Sequence, residues 1–157
     1  MTDTDMLKLN AKIDDILARE AALEARAATL RPANKAAMFD ALAAAGITKV
    51  IVPFDGSGDS GQIESVDALA GQTPIDLPQV EIIQTYIAGI DAPPEPKSVA
   101  LAMAIEDFAY ARLRETHAGW ELDDGACGDF TFDVSDRTIS LDYNERYSAT
   151  ESYAHVF

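Results

Sequence analysis

The chain has 157 residues, of which 27 are acidic and 12 basic, so its formal net charge is −15. Nucleic-acid affinity comes mostly from lysine and arginine side chains that neutralise phosphates, so this charge argues against direct nucleic-acid binding and favours a basic protein surface as partner. Apolar residues make up 48% of the chain and it has a single cysteine. Without a possible intrachain disulfide, a signal peptide or an apolar run near 18 residues, it is expected to be cytoplasmic and not membrane-bound.

The negative charge is unevenly distributed along the chain. Residues 1–49 contain seven acidic and seven basic side chains, so all of the −15 lies in residues 50–157. The predicted organisation has two parts. A heptad-like helix occupies residues 1–31, and an acidic α+β domain occupies residues 32–157.

The N-terminal segment 5–30 is predicted to be one long helix. Its apolar residues recur at alternating three- and four-residue steps, which is a heptad-like pattern. The helix could dock on its own domain, or it could bind a partner helix. It could also assemble a homodimer, in which case the chain would be an oligomeric structural protein. Arg31 and Pro32 are expected to end it, because the residue before proline disfavours the helical conformation. The seam positions are Met6, Leu9, Ile13, Ile16, Glu20, Leu23, Ala27 and Leu30.

The remaining pattern predicts an α+β fold, an antiparallel sheet with helices on one face. Segment 79–87 also fits helical spacing, but its β-branched residues favour a strand. The C-terminal hairpin alternates apolar and polar residues, so one of its faces should be buried. The predicted elements are a helix at 33–45, a strand at 48–54, a tight polar loop at 55–61, a weaker strand at 62–67, a loop at 71–78, a strand at 79–87, a rigid proline-rich connector at 91–97, a helix at 98–116 capped by Ser98, hairpin strands at 129–134 and 138–143, and a tail at 147–157.

The polar segment 55–61 has oxygen-bearing side chains at alternate positions, as calcium loops do. An EF-hand is excluded because Val66 stands where the twelfth-position carboxylate belongs. A looser calcium or magnesium site on Asp55, Asp59 and Glu64 is one interpretation, and it would make the chain a small metal-binding protein or enzyme. The other is a turn built by the glycines and closed by aspartate and serine side chains. No cofactor is predicted.

A histidine and the only cysteine flank the only tryptophan in segment 117–128. Cys127 and His117 could form a nucleophilic pair, but no local signature of a cysteine enzyme accompanies them. The alternative is a helix end, in which Gly119 caps the helix and Trp120 seals the core. The chain is therefore predicted not to be an enzyme.

The polar face of the hairpin is the predicted partner-binding site. Adjacent strands lie about 4.8 Å apart and alternate residues about 6.6–6.8 Å apart, so carboxylates there form rows with a spacing comparable to that of nucleic-acid phosphates. Such rows could imitate nucleic acid toward a basic partner. The alternative is a solvated sheet face. The predicted site residues are Asp123, Asp124, Asp129, Asp133 and Asp142.

Two groups of motifs stand out together. They are FDGSGDSGQIE at 54–64, and ETHAGWE at 115–121 with DGA at 124–126, GDFTFDV at 128–134 and LDYNERY at 141–147. Together they resemble a family of uncharacterised acidic proteins encoded on proteobacterial plasmids and integrative elements. The resemblance spans roughly residues 33–150 and leaves out the N-terminal helix. It implies no activity for any particular residue. It does imply a protein of a mobile genetic element, for which a counter-defence role as an anti-CRISPR or anti-restriction inhibitor is one expectation.

Overall fold

The structure is a computed structural model that describes residues 2–157. Two helices pack on the same face of an antiparallel sheet. The predicted fold class, α+β with a long N-terminal helix, is confirmed. No helix within the described residues combines the length and hydropathy needed to span a membrane. The elements are α1 (Asp3–Ala44), β1 (Lys49–Ser57), β2 (Ser60–Ile63), β3 (Asp67–Ala70), β4 (Thr73–Ile75), β5 (Glu81–Tyr86), β6 (Glu95–Ala100), α2 (Leu101–Thr116), β7 (Ala126–Asp133) and β8 (Thr138–Glu145).

Helix α1 begins with a capping box. The Thr2 hydroxyl accepts a hydrogen bond from the Asp5 backbone N–H, and the Asp5 carboxylate accepts one from the Thr2 backbone N–H. The Asp5 carboxylate also accepts a hydrogen bond from the Thr2 hydroxyl at 2.8 Å. This bond, together with the one from the Thr2 backbone N–H, holds the pKa of the Asp5 carboxyl below its ordinary value. Every residue from Thr2 to Ala21 is exposed. We call residues 3–21 the arm, because this half of the helix projects from the rest of the protein.

The predicted helix break at Arg31 and Pro32 is wrong, since Pro32 lies inside a continuous α1. The predicted boundary between residues 31 and 32 therefore falls within one helix. Contacts on both sides of the proline hold the helix together. Before it, the Arg26 guanidinium donates to backbone carbonyls of the loop at 89–92. After it, the Asn34 amide exchanges two hydrogen bonds with the backbone of Thr85, at 2.8 and 2.9 Å.

The main sheet has the strand order β4-β3-β1-β7-β8, and β2 pairs with the far half of β1. Strand β1 is central because it pairs with β3 on one side and with β7, from Lys49 to Gly56, on the other. Both helices reach the same inner face. The Phe132 ring of β7 contacts Phe39 of α1 at 5.9 Å and Phe108 of α2 at 6.0 Å between ring centroids. The predicted hairpin is confirmed as β7 and β8.

Strands β5 and β6 form a separate two-stranded sheet that contacts α1 and α2. The predicted strand at 79–87 is confirmed as β5. The connector predicted at 91–97 is wrong at its end, where residues 95–97 belong to β6. Helix α2 begins at Leu101, and Ser98 does not cap it but donates its hydroxyl hydrogen bond to Glu81 across the hairpin. An edge strand such as β6 can accommodate Pro96 because only one of its sides is paired.

Segment 55–75 contains more strand than the sequence predicts. The polar loop predicted at 55–61 is largely strand, because β1 continues to Ser57 and β2 starts at Ser60. Only Gly58 and Asp59 form the turn. Gly58 has a positive φ of 65°, which a two-residue hairpin turn requires and which glycine adopts readily. The weak strand predicted at 62–67 divides between β2 and β3, and the loop predicted at 71–78 contains β4.

Candidate functional site

The face of the main sheet opposite the helices, here called the outer face, is solvent-accessible. Side chains alternate between the two faces of a strand, and Val50, Val52 and Phe54 of β1 are buried under the helices. Their neighbours along β1 and the residues in register with those neighbours therefore point outward. The outer face of the three adjacent strands consists of Lys49, Ile51, Pro53 and Asp55 in β1, Cys127, Asp129, Thr131 and Asp133 in β7, and Thr138, Ser140, Asp142 and Asn144 in β8.

Three of the five predicted site residues lie together on this outer face. Asp129 is directly opposite Asp142 in the β7–β8 ladder. Asp133 is four residues further along β7, in register with Lys49 of β1. Its carboxylate also accepts a hydrogen bond from the Asp136 backbone N–H at 3.0 Å, which closes the hairpin turn. The structure thus places a like-charge pair at the centre of the hairpin's outer face.

The other two predicted site residues, Asp123 and Asp124, lie at the end of the sheet and not on its flat face. Asp123 has a positive φ of 55°, and its carbonyl accepts a hydrogen bond from the Gly58 N–H at 2.9 Å. The Asp124 carboxylate accepts one from the Ser148 hydroxyl at 2.8 Å. Both aspartates line a cavity of about 340 Å³ that includes the inward-facing Tyr143. They form a second acidic group, next to the outer face.

Sequence reasoning missed Asp67 as a member of the outer face. It is in register with Ile51 and next to the buried Ala68, so it points outward. Its place depends on β3, which the sequence predicted only weakly. Within the described residues, the outward positions of β1, β3, β7 and β8 hold five aspartates and only one basic residue, Lys49. These aspartates are Asp55, Asp67, Asp129, Asp133 and Asp142.

The three residues considered as metal ligands do not converge. Asp55 forms an ion pair with Arg146 at 2.9 Å, and this hydrogen bond raises the pKa of the Arg146 guanidinium above its ordinary value. Asp59 lies in the two-residue turn, and Glu64 follows β2. Asp55 and Glu64 line one open cavity of about 250 Å³. Within residues 2–157, no three His, Cys, Asp or Glu side chains are placed to share a metal ion.

The glycines of segment 55–61 serve the packing of Trp120. Gly56 and Gly61 face each other across β1 and β2, and the indole ring lies against them. The sequence predicted that Trp120 seals the core, and its burial and its edge-to-face contact with Phe54 confirm this. Arg146, which sequence reasoning did not single out, adds a hydrogen bond to the Gly56 carbonyl at 3.1 Å. The two motifs of the sequence thus form one packed corner.

Cys127 and His117 lie on opposite faces of the sheet. Cys127 belongs to the outer face, in register with Asp55. The His117 ring stacks on the inward-facing Tyr143, with ring centroids 3.6 Å apart and planes 5° apart. Desolvation, with the nearby Glu145 and Glu121 carboxylates, raises the pKa of the Tyr143 hydroxyl. The two side chains therefore do not form a nucleophile–base pair in this arrangement.

The fold and the surface together define a small α+β protein whose open antiparallel sheet presents carboxylates to solvent. The chain belongs to the family of unknown function DUF6878, which matches residues 30–157. The arm lies outside the matched residues. No curated protein and no solved structure matches the chain.

Proposed function

We propose that this protein acts by binding and not by catalysis, and that its outer face docks on a basic, nucleic-acid-binding protein partner. The observation that carries the proposal is the placement of Asp129, Asp133 and Asp142 on an open sheet face. Both helices pack on the other face, so a partner can approach the carboxylates without displacing any element. A protein surface with charges of one sign associates faster with a partner surface of the opposite sign, because the electrostatic potential steers the two together.

The Asp129–Asp142 pair supports this proposal energetically. Like charges directly opposite each other in a ladder lower the stability of a sheet. The pair lies where a solvated face would accommodate neutral polar residues equally well, as Thr131 and Ser140 do at the next outward position. A basic partner would offset this repulsion by placing cations between the carboxylates. The predicted alternative, a face that only solvates the protein, does not require the two aspartates to be adjacent.

The narrower form of the proposal rests on the resemblance to proteins of mobile elements. In that form the carboxylate rows take the place of phosphates in the groove of a CRISPR or restriction complex, so the protein is a counter-defence inhibitor. The proposed compartment is the cytoplasm, where such complexes act. Asp123 and Asp124 would extend the acidic surface at the end of the sheet.

The test is affinity capture from host-cell lysate with three forms of the protein. The face variant carries D129N, D133N and D142N. Asparagine keeps the side-chain shape and the oxygen that accepts from the Asp136 N–H. The control variant carries D91N, E95Q and D107N, which removes the same charge from exposed positions on β6, α2 and the preceding loop. A third variant, D123N with D124N, tests the second acidic group, and asparagine tolerates the positive φ at residue 123.

We expect wild type and control to retain a basic nucleic-acid-binding protein at low salt and to release it at high salt, because exposed charges are screened within about 10 Å at 0.1 M. The face variant should retain at least about tenfold less of it, a change of about 1.4 kcal/mol. Retention of the same partner by the folded face variant would contradict the proposal. Burial of Trp120, read by its fluorescence, checks that each variant is folded.

A further inference from the structure

The arm carries large apolar side chains that no other part of residues 2–157 covers. Most helices in proteins are stabilised mainly by packing of an apolar face, and a contiguous apolar patch left exposed marks an interaction site. The exposed fractions are 70% for Leu7, 56% for Leu17, 54% for Ile16, 51% for Met6, 47% for Leu9 and 45% for Ile13.

These side chains form a stripe along one side of the helix. Met6, Leu9, Ile13 and Ile16 follow alternating three- and four-residue steps, and Leu17 lies beside them. Leu7 is about 100° around the helix from Met6, off the stripe. The stripe continues into Leu23, Ala27 and Leu30, which are half-buried against the rest of the protein. The arm therefore extends a packing surface beyond the point where its own chain covers it.

We propose that the arm pairs with the arm of a second copy of this chain, in antiparallel orientation, as a short two-stranded coiled coil. The length of the arm fits this arrangement. Its 19 residues span about 28 Å. With Met6 level with Ile16 of the second copy, and Leu9 level with Ile13, all four stripe layers are apolar. Thr2 of each copy then lies level with residue 20 of the other copy, near the end of its exposed segment. The inference does not depend on the acidic face.

The charges beside the stripe favour the antiparallel orientation. In this register, Asp5 of each copy faces Arg19 of the other, which gives two attractive pairs against one Lys12–Lys12 repulsion. In a parallel pair, the two Glu20 side chains would meet in the seam. A parallel pair would also place two acidic bodies side by side, whereas antiparallel arms separate them by the arm length, several times the screening length of about 8 Å at physiological salt.

The buried area is enough for a weak, specific dimer. Five half-exposed apolar side chains from each arm, with the stems of flanking lysine and arginine, would bury on the order of 1,000 Å² in total, the lower limit for a biological interface. We therefore expect a dimer that dissociates in the micromolar range. The arm has five acidic and three basic side chains, a net charge of only −2, so it opposes such an approach far less than the acidic remainder of the chain would.

Sedimentation equilibrium of the full chain, from micromolar to several hundred micromolar, tests the pairing. Wild type should shift from monomer to dimer. The variant L9Q with I13Q should weaken the association at least about tenfold. Leu7→Gln is the matched control, because it removes a more exposed leucine that lies off the stripe, and its association should equal that of wild type. A monomer at all concentrations, or a dimer that L9Q with I13Q leaves unchanged, would overturn the proposal.

A charge exchange tests the orientation. Asp5→Arg and Arg19→Asp should each weaken the dimer, because each places like charges opposite each other across the antiparallel seam. Because Asp5→Arg also removes the carboxylate of the capping box, the double variant D5R with R19D is compared with Asp5→Arg alone, and it should associate more tightly. In a parallel pair these residues are about 21 Å apart along the axis. Failure of the double variant to recover association, or tightening of the dimer by Glu20→Leu, would rule out the antiparallel arrangement.

Discussion

At the scale of single residues, two glycines determine where the indole of Trp120 lies. A Cβ added at Gly61 would stand 2.5 Å from Trp120 Cη2, and one at Gly56 would stand 2.7 Å from Cζ3. Neither distance leaves room for a methyl group, and Phe54 makes an edge-to-face contact with the same ring at 5.6 Å between centroids. The missing side chains of Gly56 and Gly61 therefore make room for the indole ring. The contact of the ring with the two glycines positions the loop before β7.

Gly61→Ala should lower the free energy of unfolding by about 1–3 kcal/mol, the usual effect of overpacking. Gly89→Ala is the matched control. Its added Cβ meets nothing within 4 Å, so its effect should stay between zero and a gain of about 1 kcal/mol. Urea denaturation followed by Trp120 fluorescence measures both. Equal stability of the two variants would show that the ring can move aside.

The candidate site was predictable only in part, and the reason lies in particular residues. Alternation along β7 and β8 correctly predicted that Asp129, Asp133 and Asp142 share a face, because strand geometry alone determines it. The position of Asp123 and Asp124 could not be predicted. It depends on the hydrogen bond from Gly58 to the Asp123 carbonyl and on Gly125, whose φ is 74°. Such contacts join segments more than 60 residues apart.

At the scale of elements, α1 is continuous through Pro32 because tertiary contacts outweigh a local disadvantage. A proline inside a helix removes one hydrogen bond and crowds the preceding turn, at about 3 kcal/mol. The contacts of Arg26 and Asn34 fix the helix on both sides of it. The proline therefore lowers the stability of the folded helix without ending it.

Pro32→Ala should raise the free energy of unfolding by about 2 kcal/mol. This value is the helical gain of about 3 kcal/mol less up to about 1 kcal/mol for the freer unfolded chain. Thr29→Ala, an exposed change on the same helix, is the control, and it should add no more than about 0.7 kcal/mol. Urea denaturation with far-ultraviolet circular dichroism gives both values. A loss of stability in the proline variant would indicate that the helix is interrupted at residue 32.

The same competition explains which elements the sequence could predict. The β7–β8 hairpin follows from its own alternation, and β5 from its β-branched residues. Strand β6 contains Pro96 and is almost wholly exposed, and its partner β5 rather than its composition makes it a strand. Strand β4 has three residues and depends on pairing with β3. Local propensity predicts the strands whose own residues favour β structure. The other strands form only because they pair with strands elsewhere in the chain.

At the scale of the whole molecule, charge separates the two proposed interfaces. The arm is formed from the neutral part of the chain, and the outer face from the part that carries all of the −15. Antiparallel arms would hold two acidic faces apart in one assembly. A partner with two basic sites could then engage both faces, and linked binding increases the apparent affinity without any new contact.

The clustered carboxylates should also make stability rise with salt. From about 10 mM to about 0.5 M sodium chloride the screening length falls from 30 Å to a few Å, so repulsion across the outer face is removed. In the monomeric L9Q and I13Q background, the free energy of unfolding should rise by on the order of 1 kcal/mol. Adding D129N, D133N and D142N should reduce that rise more than adding D91N, E95Q and D107N, because only the first set contains charges on adjacent strand positions. A fall in stability with salt would mean that the ion pairs, such as Arg146 with Asp55, outweigh this repulsion.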